Sequence, residues 1–184
     1  MSIIDPTERQ RAHAETRFVD YYAKALEASA RFREEYEGRL NVVKSSEMPF
    51  ERSPDGLIKH IINEEMDTKE CCIDIYMQFL PPGGASGKHR HLSEEIFYVV
   101  EGSGYDLHWD VRFDCKDKFE WSWDEEPKRF AWNEGDFVYI PPYCTHKHFN
   151  ASPDKEARII VINSRIMKPM GFDWFEQLEN AEGF

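Results

Sequence analysis

Long apolar runs are missing from this 184-residue sequence. No stretch approaches the roughly 20 residues that a helix needs to cross a bilayer, and Met1 to Pro6 has neither the basic start nor the apolar core of a secretory signal. A cytoplasmic location is the expectation. Basic residues are in deficit as well: 23 Lys and Arg stand against 35 Asp and Glu, a net charge of −12. Such a surface repels phosphate backbones and anionic lipids, so neither nucleic acid nor a membrane is an expected partner. Cysteine is scarce. Cys71, Cys72, Cys115 and Cys144 show no CxxC pairing and no disulfide-scaffold spacing. Adjacent Cys71 and Cys72 point to opposite faces of a strand, which makes one of them a small core residue. Repeats and low-complexity tracts are also lacking, and the length suits one domain with a core of its own.

What the sequence does have is histidine in two telling places. One segment carries Gly83, His89, Arg90, His91, Glu95 and Gly102; another carries Gly135, Pro141, Pro142, Tyr143, Cys144, Thr145, His146 and Asn150. Three imidazoles and a carboxylate suit iron, manganese, nickel, copper, cobalt or zinc, and suit magnesium or calcium poorly. Alternate residues of a strand share a face, so His89 and His91 project the same way. Glu95 keeps that parity if the turn through Leu92 and Ser93 preserves it. A β-branched and aromatic run, Ile96 to Val100, follows it, closed by Gly102; Phe137 to Ile140 is a second run, stopped by Pro141 and Pro142. His146 and His148 begin the next strand on one face. Two such units facing each other bring His89, His91, Glu95 and His146 to one point as metal ligands. A lone histidine is more often hydrogen-bonded or solvated than ligating, which is the reading for His13 and His60. Cys144 reads as a reduced structural thiol.

These two segments resemble the paired motifs of the cupin superfamily, small β-barrel proteins that hold a metal inside the barrel. The first motif, Gly-x5-His-x-His-x3-Glu-x6-Gly, is matched at every defined position. The second, Gly-x5-Pro-x-Gly-x2-His-x3-Asn, is matched except that Tyr143 stands where the middle glycine supports a tight turn. The resemblance covers about residues 57 to 165 and implies an all-β, jelly-roll (double-stranded β-helix) barrel. Within the superfamily the chain looks most like single-domain cupins related to gentisate-type ring-cleaving dioxygenases. Those are usually taken to bind iron without the motif glutamate. With Glu95 present, the ligand set is closer to quercetinase-like and acireductone-type dioxygenases and to oxalate decarboxylase domains.

Around the barrel, Asp5, Pro6 and Glu8 read as the capped start of a long helix that runs to about Leu40, with Gly38 near its end. Phe18, Tyr22, Ala25, Ser29, Phe32 and Tyr36 form a narrow apolar seam on it. The seam can pack on its own barrel or pair with a second subunit; the length of the segment favours the pairing, hence a homodimer or higher homo-oligomer. Residues 1–43 are thus read as a helical extension, 44–56 as a turn-rich linker, 57–168 as the barrel and 169–184 as a tail with a short helix, Trp174 to Glu179, capped by Asp173. Between the motifs, Asp110 to Glu134 alternates acids with Phe113, Phe119, Trp121, Trp123, Phe130 and Trp132. It reads as an extended hairpin whose aromatics cover the barrel, ahead of a lid or dimer contact.

A site of this kind, with open coordination positions, can bind substrate oxygens beside dioxygen or polarise a carbonyl. Phe97, two beyond Glu95, and Tyr105, Leu107 and Trp109, on one face of their strand, are candidates for an aromatic substrate wall. His148 is the candidate general base or a hydrogen-bond donor behind the ligands, with a hydrogen-bonded core histidine as the equal alternative. The expected protein is a metal-dependent dioxygenase, Fe(II) favoured over Mn, Ni, Zn, Co or Cu, acting with O2 on a small aromatic or enolic substrate. A non-redox lyase or isomerase, and a small-molecule sensor or binding protein, are the alternatives.

Overall fold

The computed structural model describes residues 19–69 and 72–184. The expected cap at Asp5, the seam residue Phe18, and His13 and Cys71 lie outside the described residues. The chain divides at Arg39 into two units. The first contains helix α1 (Tyr21–Gly38), which stops where Arg39 turns extended and donates its N–H to the Tyr36 carbonyl at 3.2 Å. Phe32 and Tyr36, one turn apart, bring their rings to 6.1 Å, and the Arg39 guanidinium lies 5.2 Å from the Phe32 ring. No helix among the described residues is long and apolar enough to cross a membrane.

The second unit is built of strands. One sheet holds β1 (Phe50–Ser53), β2 (Gly56–Ile62), β3 (Ile73–Leu80), β5 (Glu95–Glu101), β10 (Phe137–Ile140) and β12 (Ala157–Ser164), in the order β1-β2-β3-β12-β5-β10. The other holds β4 (Lys88–His91), β6 (Ser103–Trp109), β9 (Lys128–Asn133), β11 (Thr145–Asn150) and β13 (Phe175–Glu179), in the order β13-β4-β11-β6-β9. A two-stranded ribbon, β7 (Val111–Cys115) with β8 (Phe119–Trp123), stands apart from both. Chain neighbours such as β4 and β5 fall in different sheets while β12 returns between β3 and β5, all antiparallel. The result is a jelly roll.

Alternation decides what is buried. Along β12 the burial repeats every second residue, placing Ala157, Ile159 and Val161 inward. Leu80, Phe97, Val99 and Ile140 join them from the same sheet, and Trp132 from the facing one closes the apolar core at one end. Each such side chain contributes about 1.5–3 kcal/mol by leaving water. Towards the other end the inward positions become polar.

Three expectations change. The tail helix Trp174–Glu179 is a strand: β13 pairs along β4, Phe175 opposite His91 and Gln177 opposite His89. The exposed edge of β4 offers it unpaired backbone groups, and non-local pairing overrides the local capping pattern. The span 44–56 is no simple linker, because it supplies β1 and the start of β2. The 110–134 hairpin forms, but as a ribbon whose Phe113, Phe119 and Trp121 stay substantially exposed, followed by β9, where Trp132 alone of these aromatics is core.

Candidate metal centre

Each wall of the barrel delivers part of the site. Strand β4 supplies His89 and His91, β11 supplies His146, and β5 in the opposite sheet supplies Glu95. The register His146 opposite His89 sets the two histidine strands level. All four side chains are buried, and one ligand atom from each lies within 4.8 Å of all the others. Glu95 Oε2 sits 3.2 Å from His91 Nε2, and Glu95 Oε1 sits 3.7 Å from His146 Nε2.

Hydrogen bonds behind the rings decide which nitrogen faces inward. His146 Nδ1 lies 3.0 Å from the Cys144 carbonyl and His91 Nδ1 lies 2.8 Å from the Ser93 carbonyl. A carbonyl only accepts, so each Nδ1 carries the proton and each Nε2 turns a lone pair to the centre. His146 Nε2 and Glu95 Oε1 are nonetheless buried without a hydrogen-bond partner. Burying such acceptors unmatched costs on the order of 1–3 kcal/mol apiece, and a divalent cation among them would remove that cost. The donors fit a transition metal.

Electrostatics point the same way. Burial and the neighbouring His89 hold the His146 imidazole down, to about 4, so it is neutral and ready to ligate near neutral pH. For His89 burial favours the neutral ring, but the Asp55 carboxylate, 3.2 Å from Nδ1, raises the pKa above its ordinary value.

Behind the ligands lies a second set of polar residues. His148 is fully buried, with Nε2 3.4 Å from Glu95 Oε1 and Nδ1 3.0 Å from Asp106 Oδ2. Asp106 also accepts from Trp132 Nε1 at 2.9 Å and lies 3.3 Å from His108 Nε2. Burial opposes its charge, but His148, His108 and Trp132 together hold its carboxyl at about 2. His148 is therefore held by Asp106, and its buried Nε2 approaches Glu95 Oε1 without a hydrogen-bond partner. Phe97 packs in the core, its ring 5.0 Å from that of His148.

The substrate wall expected from Tyr105 and Trp109 lies on the other side of β6. Tyr105 stacks on Phe149 at 4.8 Å and 5°, and the Lys88 ammonium sits 3.9 Å from the Trp109 ring. Register explains it: Asp106 pairs with His148 and Tyr105 with Phe149, so the parity of β11 fixes that of β6 and turns Asp106 and His108 inward. Asp106-x-His108 repeats the i, i+2 spacing of the first motif and was the available signal. Asp55 had none, since it reaches His89 from the β1–β2 turn, where Gln78 Nε2 donates to its carbonyl at 2.8 Å and to its Oδ2 at 2.7 Å.

Tyr143 shows how the departure from the motif is accommodated. It keeps the left-handed conformation a glycine would take, φ 62°, which costs a side-chain-bearing residue about 1–2 kcal/mol. Its N–H donates to the His91 carbonyl at 2.8 Å, tying the turn to the ligand strand. Trp123 Nε1 donates to its carbonyl at 2.9 Å, Trp121 and Trp123 pack edge-on against its ring at 5.2 Å, and its hydroxyl donates to Glu176 at 3.1 Å. The β7–β8 ribbon and β13 thus anchor the turn that presents His146. Cys144, beside it, is buried, its Sγ 3.6 Å from the Trp109 carbonyl. Burial and the nearby Asp110 and Asp106 carboxylates push its thiol up to about 12, so it is the inert structural cysteine expected.

A cavity of about 470 Å³ opens onto His89 and His91. Tyr76 and Asn163 line it from the first sheet, Phe172, Trp174 and Phe175 from the C-terminal segment. Phe175 lies nearly parallel to His91, ring centroids 6.0 Å apart, and stacks on His89 at 5.5 Å. His60 also lines it, bound to Glu51 at 2.6 Å, and is not among the clustered donors.

A family model described as auxin binding protein matches residues 37–178. No curated protein matches the chain. Among solved structures, a cupin-like protein from Thermotoga maritima is 22% identical, with a TM-score of 0.47 over 77% of this chain and 86% of that one. An oxalate decarboxylase is 18% identical, with a TM-score of 0.51 over 67% of this chain and 29% of its own. Hydroxypropylphosphonic acid epoxidase from S. wedmorenis, in complex with fosfomycin, is 15% identical, with a TM-score of 0.50 over 67% of this chain and 59% of its own. The chain spans less than a third of the decarboxylase and less than two thirds of the epoxidase. At these identities the likeness is one of fold, an all-β cupin barrel.

Proposed function

Because the chain belongs to the auxin-binding-protein family, of cupin fold, we propose that it is a metal-dependent enzyme of small molecules: a dioxygenase, with Fe(II) as the metal, acting on an aromatic or enolic compound that enters the cavity beside His89 and His91. The observation that carries this reading is the set of four buried donors, His89, His91, Glu95 and His146, within 4.8 Å of one another and short of hydrogen-bond partners at Glu95 Oε1 and His146 Nε2. A bound iron would supply an open, Lewis-acidic position able to take a substrate oxygen and dioxygen together.

The chain's own residues do the rest. Ser93 and Cys144 carbonyls hold the His91 and His146 protons on Nδ1. Asp106 fixes the orientation of the His148 ring, whose Nε2 lies 3.4 Å from Glu95 Oε1. Phe175 covers the faces of His89 and His91 and keeps bulk water from them, while Trp174 and Phe172 give a ring something to lie against. No protein nucleophile is required of this arrangement, and Cys144 is too weakly acidic to be one.

The test is oxygen uptake by iron-loaded protein with phenols and β-dicarbonyls. Uptake coupled to substrate loss supports the dioxygenase; turnover without uptake, with zinc, manganese or nickel bound, supports a lyase or isomerase. The family's own description favours one further reading, a binding protein, and saturable binding with no turnover would establish it.

A further inference from the structure

The three imidazoles of the ligand cluster do not have their far nitrogens held alike. Nδ1 of His91 and of His146 meets a neutral backbone carbonyl, that of Ser93 or of Cys144. His89 Nδ1 lies instead 3.2 Å from a carboxylate oxygen, Oδ1 of Asp55. Both atoms are buried, and neither has another hydrogen-bond partner among the described residues. Several contacts fix that carboxylate in place. Gln78, fully buried on β3, donates through Nε2 to the Asp55 carbonyl at 2.8 Å and to Oδ2 at 2.7 Å, so one amide grips both backbone and side chain. The Asp55 N–H donates to Ser53 Oγ at 3.2 Å, and the neighbouring Pro54 carbonyl accepts from the Ala181 N–H at 2.7 Å. Gly87, just ahead of β4, lets this turn come close, because a Cβ there would stand 2.8 Å from the Pro54 carbonyl oxygen. With Oδ2 and the backbone so occupied, Oδ1 is left for His89.

Resting on the metal-dependent reading above, we propose that Asp55 is a positioning residue of the metal centre: it holds the His89 proton on Nδ1, turns Nε2 to the ion and makes His89 the one imidazole of the three backed by a negative charge. A carboxylate only accepts, so the proton between the two groups stands on the ring. A ring held in that way is already oriented when the ion arrives, and it is a stronger donor than one backed by a neutral carbonyl. Asparagine cannot replace the carboxylate here. Its single amide oxygen can meet the Gln78 amide or His89 Nδ1, but not both, and its NH2 faces whichever group is left. Facing His89, that NH2 favours the tautomer with the proton on Nε2, which cannot ligate.

The experiment titrates the whole chain with Co(II) under anaerobic conditions and reads affinity by competition with a chromophoric chelator, the visible cobalt bands serving as a second readout. Asp55→Asn should bind Co(II) about 10–100-fold more weakly than wild type and shift the bands, while the metal-free variant keeps the circular-dichroism spectrum and melting temperature of metal-free wild type. Asp55→Ala should lose at least as much. Added formate, small enough to take the place of the missing carboxylate beside the cavity, should restore part of that loss, as a carboxylate role requires and a packing role does not. Co(II) held by both variants as tightly as by wild type overturns the proposal and leaves the metal reading standing. A loss of affinity that only follows loss of the folded spectrum, in both variants, also overturns it and makes Asp55 a residue of the fold alone. Wild type that takes up no cobalt overturns the metal reading, and this proposal with it, before any variant is compared.

Discussion

Along β5 and β12 of the first sheet the inward residues include Phe97, Val99, Ile159 and Val161; along β4, β6 and β11 of the second they are His89, His91, Asp106, His108, His146 and His148. The two walls face each other across the same barrel and are equally hidden from water. Glu95 and Gln78 apart, the first wall stabilises the fold simply by being apolar. The second can only lower stability unless each polar atom finds a partner. Most do, in Ser93, Cys144, Asp106 and Trp132. Those that do not, at the tips of His146, His148 and Glu95, converge on one another. The first wall gives the site only Glu95 and otherwise folds; the second spends folding stability on the site.

The contrast can be broken most forcefully on the apolar side. Phe97→Ala removes a fully buried ring from the core and should cost about 3–5 kcal/mol in chemical denaturation, whether or not metal is bound. On the polar side, Asp106→Asn should cost the metal-free protein about 2 kcal/mol near neutral pH, from a carboxyl held at about 2 against an ordinary 3.8. The sign is specific. A depressed carboxylate pKa stabilises the fold fully above about pH 4, and the stabilisation disappears as pH falls through about 2. Wild type and variant should therefore converge in acid, and a gap that persists there would locate the cost in packing instead.

Tyr143 sits where the walls meet the ribbon, and two variants separate its backbone strain from its contacts. Tyr143→Ala loses the Trp121, Trp123 and Glu176 contacts and keeps a Cβ at positive φ; Tyr143→Gly loses the same contacts and relieves the strain. The glycine variant should be the more stable of the two by about 1 kcal/mol in thermal denaturation. Equal stability would mean that the left-handed turn carries no strain. The smallest effect belongs to Cys144. With its thiol at about 12 it should stay unmodified by a thiol reagent at pH 8 in the folded protein, while exposed Cys72 and Cys115 react, as peptide mapping would read.

The four clustered donors were legible in the sequence because the spacing within each motif is short and local. His89 and His91 lie two positions apart along one strand, a parity no tertiary contact can alter, and Gly83, Gly102 and Gly135, all at positive φ, mark turns where the motif requires them. The second polar layer was not legible in the same way. Whether Tyr105 or Asp106 faces inward depends on the register of β6 against β11, an interaction between residues some forty positions apart. Likewise Asp173 to Glu176 carry a helix-start pattern, yet the open edge of β4 takes Phe175–Glu179 as a strand. Asp55 was out of reach for the plainest reason: it lies in a turn, and only the folded chain brings that turn to His89.

The most direct test is elemental analysis of wild-type protein and His146→Ala, both purified anaerobically without added metal or chelator. Wild type should carry about one divalent transition metal per chain, iron if the oxygenase reading is right, and the variant, still folded by circular dichroism, should carry almost none. Full occupancy in the variant, or a folded wild type that holds no metal even when iron, manganese and zinc are each supplied, would contradict the assignment of His89, His91, Glu95 and His146 as a metal site.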